Sequence, residues 1–280
     1  MKMKSTIFSV LIAVFGLSTA NAQISLTDKM LGAVQKGLTG LTFSDADAAS
    51  LSKAAVDKMD TENVVAASKD PYAIRLEKVF GKYKNAEELV LNYKVYKKKE
   101  VNAFATADGS VRVYSGLMDV MDNNELMAVI GHEIGHVFNH DSRDAMRAAY
   151  QKEALIDAAG SQSTKIAAMT DSQLGKIGSA MIDSKHSRKQ ESDADLFSYE
   201  FMKKNGYNVN AVESAFTILA KMSGGEQADF ITAMMSSHPD SQERADNARK
   251  RAEADGLYKA YVKQPIVATA PKKAPVKKKK

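Results

Sequence analysis

The sequence predicts an α+β fold in which a small antiparallel sheet packs against a mainly helical body. Two patterns indicate this class: alternation of apolar and polar residues is concentrated in residues 89–114, and helical spacing of apolar residues dominates most of the remaining chain. The composition is that of a folded protein, with 44% hydrophobic and 26% charged residues among 280. Because cysteine is absent, disulfides, thiolate metal sites and cysteine nucleophiles are excluded.

Residues 1–22 have the pattern of a secretory signal peptide. Lys2 and Lys4 precede the apolar run 7–17, and small residues end at Ala22, so we expect cleavage before Gln23. The run is shorter than the roughly 20 apolar residues that span a bilayer. We therefore expect an exported, periplasmic protein, with a retained signal anchor or extracellular release as the alternatives.

The basic charge of the chain is concentrated at its carboxyl end. The formal charge is +5, but without Lys2, Lys4 and the six lysines of residues 272–280 it becomes −3. Residues 257–280 are predicted to form a disordered tail rich in Pro, Ala and Lys. Such a tail could make weak contact with an anionic membrane surface. No nucleic-acid partner is expected for an exported protein, and the sequence does not indicate the oligomeric state.

The first segment after the leader, residues 23–70, is predicted to be a helical lead-in. Leu51, Ala55, Val56 and Met59 supply one apolar face. A domain is then expected over residues 71–256. It opens with a helix at Asp70-Pro71, because proline fits the first helical position, and Gly81 lies near the end of that helix.

Three strand-like segments follow. Residues 89–96 alternate apolar and polar side chains, and residues 101–106 and 111–114 continue the pattern around a turn at 107–110. We predict a small antiparallel sheet from them.

The chain is predicted to be helical after Gly116. Asp122 and Glu125 have the spacing of a capping box, and residues 126–139 are apolar on nearly all sides, as in a helix buried in a domain. Further helices are expected over residues 144–183, with interruptions near Gly160 and Gly175, and over 188–204, 210–222, 227–236 and 240–253.

The buried helix contains the pattern H-E-x-x-H at residues 132–136. Residues four apart face the same side of a helix, so His132 and His136 can bind one metal ion while Glu133 lies beside them as general base. This arrangement is typical of zinc-dependent hydrolysis. The alternative is a chance combination in a helix whose polar groups are satisfied by hydrogen bonds within the core.

A catalytic zinc ion requires a third protein ligand. A third histidine ligand ten positions after His132 is excluded, because that position is Ser142. Among the later carboxylates, Glu191 is the best choice because Asp195 lies four residues on, on the same helical face. One of the two can bind the metal while the other accepts a hydrogen bond from a ligand imidazole.

Several ordered motifs resemble those of the HtpX-like zinc metallopeptidases, the family that includes the CAAX prenyl endopeptidases and periplasmic quality-control proteases. The resemblance covers about residues 102–249. Its motifs are Asn102-Ala103-Phe104-Ala105, Val113 to Leu117, Gly131 to His136, Ser187 to Asp195, and Ser237-His238-Pro239 with Arg244.

The resemblance implies a mainly helical zincin-type domain with the sheet beside the active-site helix. It further implies one zinc ion on His132, His136 and Glu191, with Glu133 as general base and Asp195 behind the ligands. His238 would stabilise the transition-state oxyanion or occupy the fourth zinc position in a latent form, assisted by Arg244. The strand formed by Asn102, Ala103, Phe104 and Ala105 would hold an extended peptide at the edge of the cleft.

We therefore expect a zinc-dependent metalloendopeptidase that acts on unfolded or misassembled cell-envelope proteins. The alternative is a latent zinc-binding protein of the envelope with a chaperone-like or scaffold role. Two departures from the family limit the assignment of substrates: after the leader the chain has no segment long and apolar enough to span a membrane, and it shows no tetratricopeptide repeat.

Overall fold

The computed structural model describes residues 43–86, 89–153, 166–226 and 228–266, which form one compact unit. The predicted leader, the first part of the predicted lead-in and most of the lysine-rich tail lie outside these residues. Within the described ranges, no helix combines the length and apolar character needed to cross a membrane.

The secondary structure is mostly helical, as the sequence predicts. The described helices are α1 Asp45–Glu62, α2 Pro71–Phe80, α3 Ser115–Val120, α4 Asn123–Phe138, α5 Asp141–Glu153, α6 Asp171–Ile182, α7 Arg188–Lys204, α8 Asn210–Ser223, α9 Ala228–Ser237 and α10 Ser241–Ala254. The strands are β1 Asn85–Ala86, β2 Leu89–Val90, β3 Asn92–Tyr96, β4 Ala103–Ala105 and β5 Ser110–Tyr114.

The larger sheet has the order β3-β5-β4 and is mixed, so the prediction of an antiparallel sheet is wrong in this respect. β4 and β5 form the expected antiparallel hairpin, whose turn uses Gly109 at φ 81°. β3, however, pairs with β5 in parallel. β3 occupies the edge of β5 that the hairpin leaves free, and it runs parallel to β5 because the chain reverses direction between β3 and β4 and again between β4 and β5. β4 therefore remains an edge strand within the described sheet.

Helix α4 lies in the centre of the domain, as its apolar sequence predicts. Asp122 and Glu125 form the expected capping box at its start. Nearly every residue of α4 is buried, and its main neighbours are α7, α8 and β4. A helix with apolar residues on all sides is stable only in such a position.

Helix α1 belongs to the same unit as α4. Its apolar face packs with α5 and α6 in a second cluster that includes Phe104 and Tyr114 of the sheet. An ion pair also joins α1 to the sheet. Arg112 of β5 binds both carboxylate oxygens of Asp60 in α1, at 2.8 and 2.9 Å.

Two expectations at the carboxyl side need correction. Helix α6 runs through Gly175, where an interruption was predicted, while Gly160 lies outside the described residues. Residues 257–266, predicted as part of a disordered tail, make defined contacts with the start of α4. The Tyr261 hydroxyl donates to Asp122 at 2.7 Å, and the Gln264 amide donates to the same carboxylate at 2.7 Å. These contacts depend on the buried carboxylate of Asp122, which the composition of residues 257–266 does not indicate.

Candidate metal centre

Helices α4 and α7 bring three of the expected ligands together. The Nε2 atoms of His132 and His136 lie 3.0 Å apart, and Glu191 Oε1 lies 3.4 Å from His136 Nε2. All three side chains are buried. The i, i+4 spacing in α4 aims both imidazoles at one point, and the first turn of α7 places Glu191 opposite them.

His238 completes a group of four donors. It follows α9 directly, and its Nδ1 atom lies 2.9 Å from Glu191 Oε1 and 3.3 Å from His132 Nε2. One ligand atom from each of His132, His136, Glu191 and His238 lies within 4.8 Å of all the others. Imidazole nitrogens combined with one carboxylate suit a divalent transition metal.

Buried carboxylates orient the two imidazoles of α4. His132 Nδ1 lies 2.9 Å from Asp195 Oδ1, and His136 Nδ1 lies 2.9 Å from Asp141 Oδ2. A histidine that donates from Nδ1 presents the lone pair of Nε2, which is the arrangement found behind metal-ligating histidines. Asp141 is held in turn by Gln190, whose Nε2 donates to Oδ1 at 2.8 Å.

Arg244 of α10 forms ion pairs with the two carboxylates of α7. Its Nη1 atom lies 2.7 Å from Glu191 Oε2, and its Nη2 atom lies 2.7 Å from Asp195 Oδ1. The guanidinium also lies over the ring of Phe216, 3.9 Å from its centroid. Burial acts to raise the pKa of Asp195, but the charge of Arg244 and the hydrogen bond with His132 outweigh it and lower this pKa to about 2. Asp195 is therefore ionised at neutral pH.

Glu133 faces the donor group without a hydrogen-bond partner of its own. The residue is 4% exposed, and Oε1 makes no hydrogen bond. His238 Nε2 lies 3.6 Å from Oε1. Burial raises the pKa of Glu133, although His238 and His136 partly oppose this shift. A buried carboxylate oxygen without a hydrogen bond costs free energy unless a further polar group lies against it, so Oε1 is free to accept a hydrogen bond from a water or substrate.

A cleft lies beside Glu133 and His136. Ala103, Phe104 and Ala105 of the β4 edge form one wall, and Met181 and Ile182 contribute apolar surface to another. Asn102 has a different position: its side chain accepts a hydrogen bond from the Ala103 amide at 2.9 Å and is not among the lining residues. The expected edge strand therefore contacts the cleft through residues 103–105.

Two residues of the site were not predicted from the sequence. Asp141 lies five residues after His136, and a search for carboxylates able to support the ligand histidines would have found it. His186 belongs to none of the motifs described above, but its ring lies against His136 with centroids 3.8 Å apart. Burial, assisted by the neighbouring His136 and His238, lowers the pKa of His186 to about 3. His140, by contrast, ends outside the site with a 57% exposed side chain.

Comparisons with known proteins point to one family. The model of peptidase family M48 matches residues 75–252. The metalloprotease LoiP of Escherichia coli strain K12 is 38% identical over 229 residues, which cover 81% of this chain and 89% of LoiP. The metalloprotease YcaL of the same strain is 40% identical over 223 residues, covering 78% and 86%. The beta-barrel assembly-enhancing protease of that strain is 27% identical over 164 residues, covering 55% of this chain and 32% of the relative.

Proposed function

Because the chain belongs to peptidase family M48, and is therefore a metallopeptidase with polypeptide substrates, we propose that its metal is a single zinc ion and that it hydrolyses unfolded or misassembled proteins of the cell envelope. One observation carries the proposal: buried donor atoms of His132, His136, Glu191 and His238 converge beside the unpartnered carboxylate of Glu133. This chain covers 89% of LoiP and 86% of YcaL, and both relatives are metalloproteases by name.

The spacing of the donor atoms supports zinc. Ligand atoms about 2.0–2.1 Å from a tetrahedral zinc ion lie about 3.3–3.4 Å from each other. The corresponding distances are 2.9 Å between His238 and Glu191, 3.0 Å between His132 and His136, 3.3 Å between His132 and His238, and 3.4 Å between His136 and Glu191. Two histidines and a glutamate form a common ligand set of catalytic zinc sites.

Glu133 acts as the general base in the proposed reaction. Bound zinc would polarise the scissile carbonyl and make water more acidic. Oε1 of Glu133 then accepts a proton from the attacking water and delivers it to the leaving amine nitrogen. A pKa raised by burial suits both transfers, because the group must gain and lose the proton at neutral pH. Asp195 and Asp141 keep the two imidazoles oriented throughout.

The cleft supports extended and unfolded substrates. Strand β4 presents its backbone at the edge of the described sheet, where an extended peptide can add as a further strand through main-chain hydrogen bonds. Such contacts do not depend on side-chain identity and are inaccessible to a folded chain. A periplasmic location, inferred from the amino-terminal signal, and the similarity to a beta-barrel assembly-enhancing protease favour envelope proteins as the substrates.

His238 supports a latent form of the enzyme. Its Nδ1 atom takes the fourth corner of the donor group, the position that a substrate carbonyl or water needs for catalysis. We infer that His238 caps the metal and must move aside for turnover, with Arg244 holding Glu191 in place. The same geometry is the observation that favours the second candidate, a zinc-binding envelope protein with a chaperone-like or scaffold role.

Metal analysis combined with cleavage of unfolded casein tests the proposal. The purified protein should contain one zinc ion per chain, cleave casein, lose activity with a chelator and regain it when zinc is restored. An unfolded outer-membrane β-barrel protein should be cleaved much faster than its folded form. Cleavage that a chelator leaves unchanged would contradict the metal-dependent mechanism. Zinc binding without cleavage of any unfolded protein would favour the scaffold role.

A further inference from the structure

His186 lies flat against a member of the donor group. Its ring and that of His136 have centroids 3.8 Å apart and an interplanar angle of 14°. A second contact, with His238, has a centroid distance of 5.2 Å and an angle of 28°. His186 also lines the cleft. No motif of the sequence assigns a role to this residue.

The hydrogen-bond partners of His136 restrain the plane of its ring only loosely. Asp141 holds Nδ1 at 2.9 Å, while Nε2 points toward the other donors. The ring plane turns by rotation about the Cβ–Cγ bond, and hydrogen bonds tolerate about 30° of misalignment. A flat neighbour at van der Waals distance opposes that rotation more sharply, because turning one ring drives its atoms into the other.

The segment that carries His186 is itself well anchored. The His186 amide donates to the Ser237 carbonyl at 3.3 Å, which connects it to the end of α9. Ser187 and Gln190 then form the capping box that starts α7. Because Gln190 also binds Asp141, residues 186–191 supply the ring contact, the support of Asp141 and the donor Glu191 together.

We propose that His186 is a positioning residue that fixes the ring plane of His136, so that Nε2 of His136 stays directed at the metal. The role rests on the metal centre proposed above. It requires a flat ring at position 186 and no hydrogen bond from its nitrogens. His186→Phe should therefore preserve the function, whereas His186→Leu, which fills similar space without a flat face, should impair it.

The test compares these two variants with the wild-type protein, using His140→Ala as the control for an exposed histidine. Zinc affinity is measured by competition with a chelator, and the visible spectrum is recorded after replacement of zinc by cobalt(II). We expect His186→Leu to lower zinc affinity about 10- to 100-fold, as loss of a residue supporting a ligand does. We also expect it to shift the cobalt absorption bands and to lower kcat for a quenched fluorescent peptide with KM little changed. His186→Phe and His140→Ala should match the wild type within a few-fold.

Each other outcome counts against the proposal in a different way. Equal loss in the Phe and Leu variants would assign the role to an imidazole nitrogen. Unchanged metal affinity and cobalt spectra in both variants would leave His186 without a positioning role. A change in KM alone would make it a substrate contact. If the wild-type protein bound neither zinc nor cobalt(II), the metal centre itself would fail, and the role of His186 with it.

Discussion

Gly135 of α4 packs directly against Ala194 of α7. A Cβ atom placed on Gly135 would lie 2.9 Å from the Cα atom and 3.0 Å from the carbonyl oxygen of Ala194. One turn earlier, a Cβ on Gly131 would lie 3.1 Å from Ser198 Oγ. The two glycines therefore let the helices approach closely enough for Glu191 to reach His132 and His136. Close packing of α4 on α7 therefore explains why positions 131 and 135, before and within the H-E-x-x-H pattern, are glycine.

Gly135→Ala should disrupt this approach. The new methyl group meets backbone of α7, so the helices must separate, and we expect a loss of about 1–3 kcal/mol in the free energy of unfolding. Metal affinity should fall as well, because Glu191 moves away from the histidines. Urea denaturation and chelator competition measure the two effects.

Gly175→Ala is the matched control for that substitution. A Cβ at Gly175 meets nothing within 4 Å, and the residue lies inside helix α6. Alanine should stabilise the helix by up to about 1 kcal/mol without changing metal affinity. If both variants behaved alike, close packing of α4 on α7 would not be what Gly135 provides.

Removing Arg244 should destabilise the protein strongly. Arg244→Ala leaves the buried carboxylates of Glu191 and Asp195 without their common partner, which costs about 3–5 kcal/mol. Lysine at this position keeps the charge but cannot bridge both carboxylates, so Arg244→Lys should lie between alanine and the wild type. Arg249→Ala is the control, because its ion pair with Glu213 has a half-exposed arginine and should contribute less than about 1 kcal/mol. Similar losses for Arg244→Ala and Arg249→Ala, measured by urea denaturation, would contradict this account.

The ion pair between Asp60 and Arg112 should give stability a specific dependence on pH. Burial acts to raise the pKa of Asp60, but hydrogen bonds from Arg112, Lys94 and Tyr96 outweigh it and lower this pKa. A carboxylate with a lowered folded-state pKa stabilises the protein fully above its unfolded pKa of about 3.9 and loses that contribution as pH falls through the folded value.

Asp60→Asn tests this dependence. We expect the wild type to exceed the variant by about 3 kcal/mol at pH 7, where the buried arginine would otherwise lack its charge partner. The difference should be the same at pH 5 and smaller at pH 3. Denaturation curves of both proteins at the three pH values supply the comparison, and a difference that grew toward pH 3 would reverse the assigned sign.

His238→Ala should open the fourth donor position at the proposed metal, because it removes the imidazole that occupies that position. If His238 occupies the fourth position in a latent form, the variant should bind one zinc ion as before and cleave casein several-fold faster than the wild type. The rate of casein cleavage per bound zinc measures this. A slower variant would place His238 in transition-state stabilisation, and an unchanged rate would remove it from the mechanism.

Local patterns were sufficient to predict the helix that carries the central residues of the candidate site. The 3.6-residue period of α4, its capping box and the spacing of His132 and His136 are all properties of neighbouring residues, and the structure has each of them. The pair Glu191 and Asp195 was predictable for the same reason. Their convergence on α4 depends on tertiary packing, and it was expected because the ordered motifs resemble those of a known family.

The features that were missed depend on contacts distant in sequence. β3 pairs with β5 because the β4–β5 hairpin leaves that edge of β5 free. The sequence of one short strand does not indicate which neighbour it will pair with. His186 precedes α7 and meets His136 only in the folded chain. Residues 257–266 have the composition of a tail, yet Tyr261 and Gln264 bind a buried carboxylate more than a hundred residues away.

We propose that Glu133 performs the chemistry at a metal bound by its neighbours. Glu133→Gln keeps the size of the side chain and removes its basicity, so it separates this role from metal binding. The measurement is casein cleavage by the variant and the wild type, with zinc content determined in the same preparations. We predict a loss of at least about 100-fold in turnover with one zinc ion retained per chain. A variant that bound zinc and cleaved casein at the wild-type rate would contradict the account.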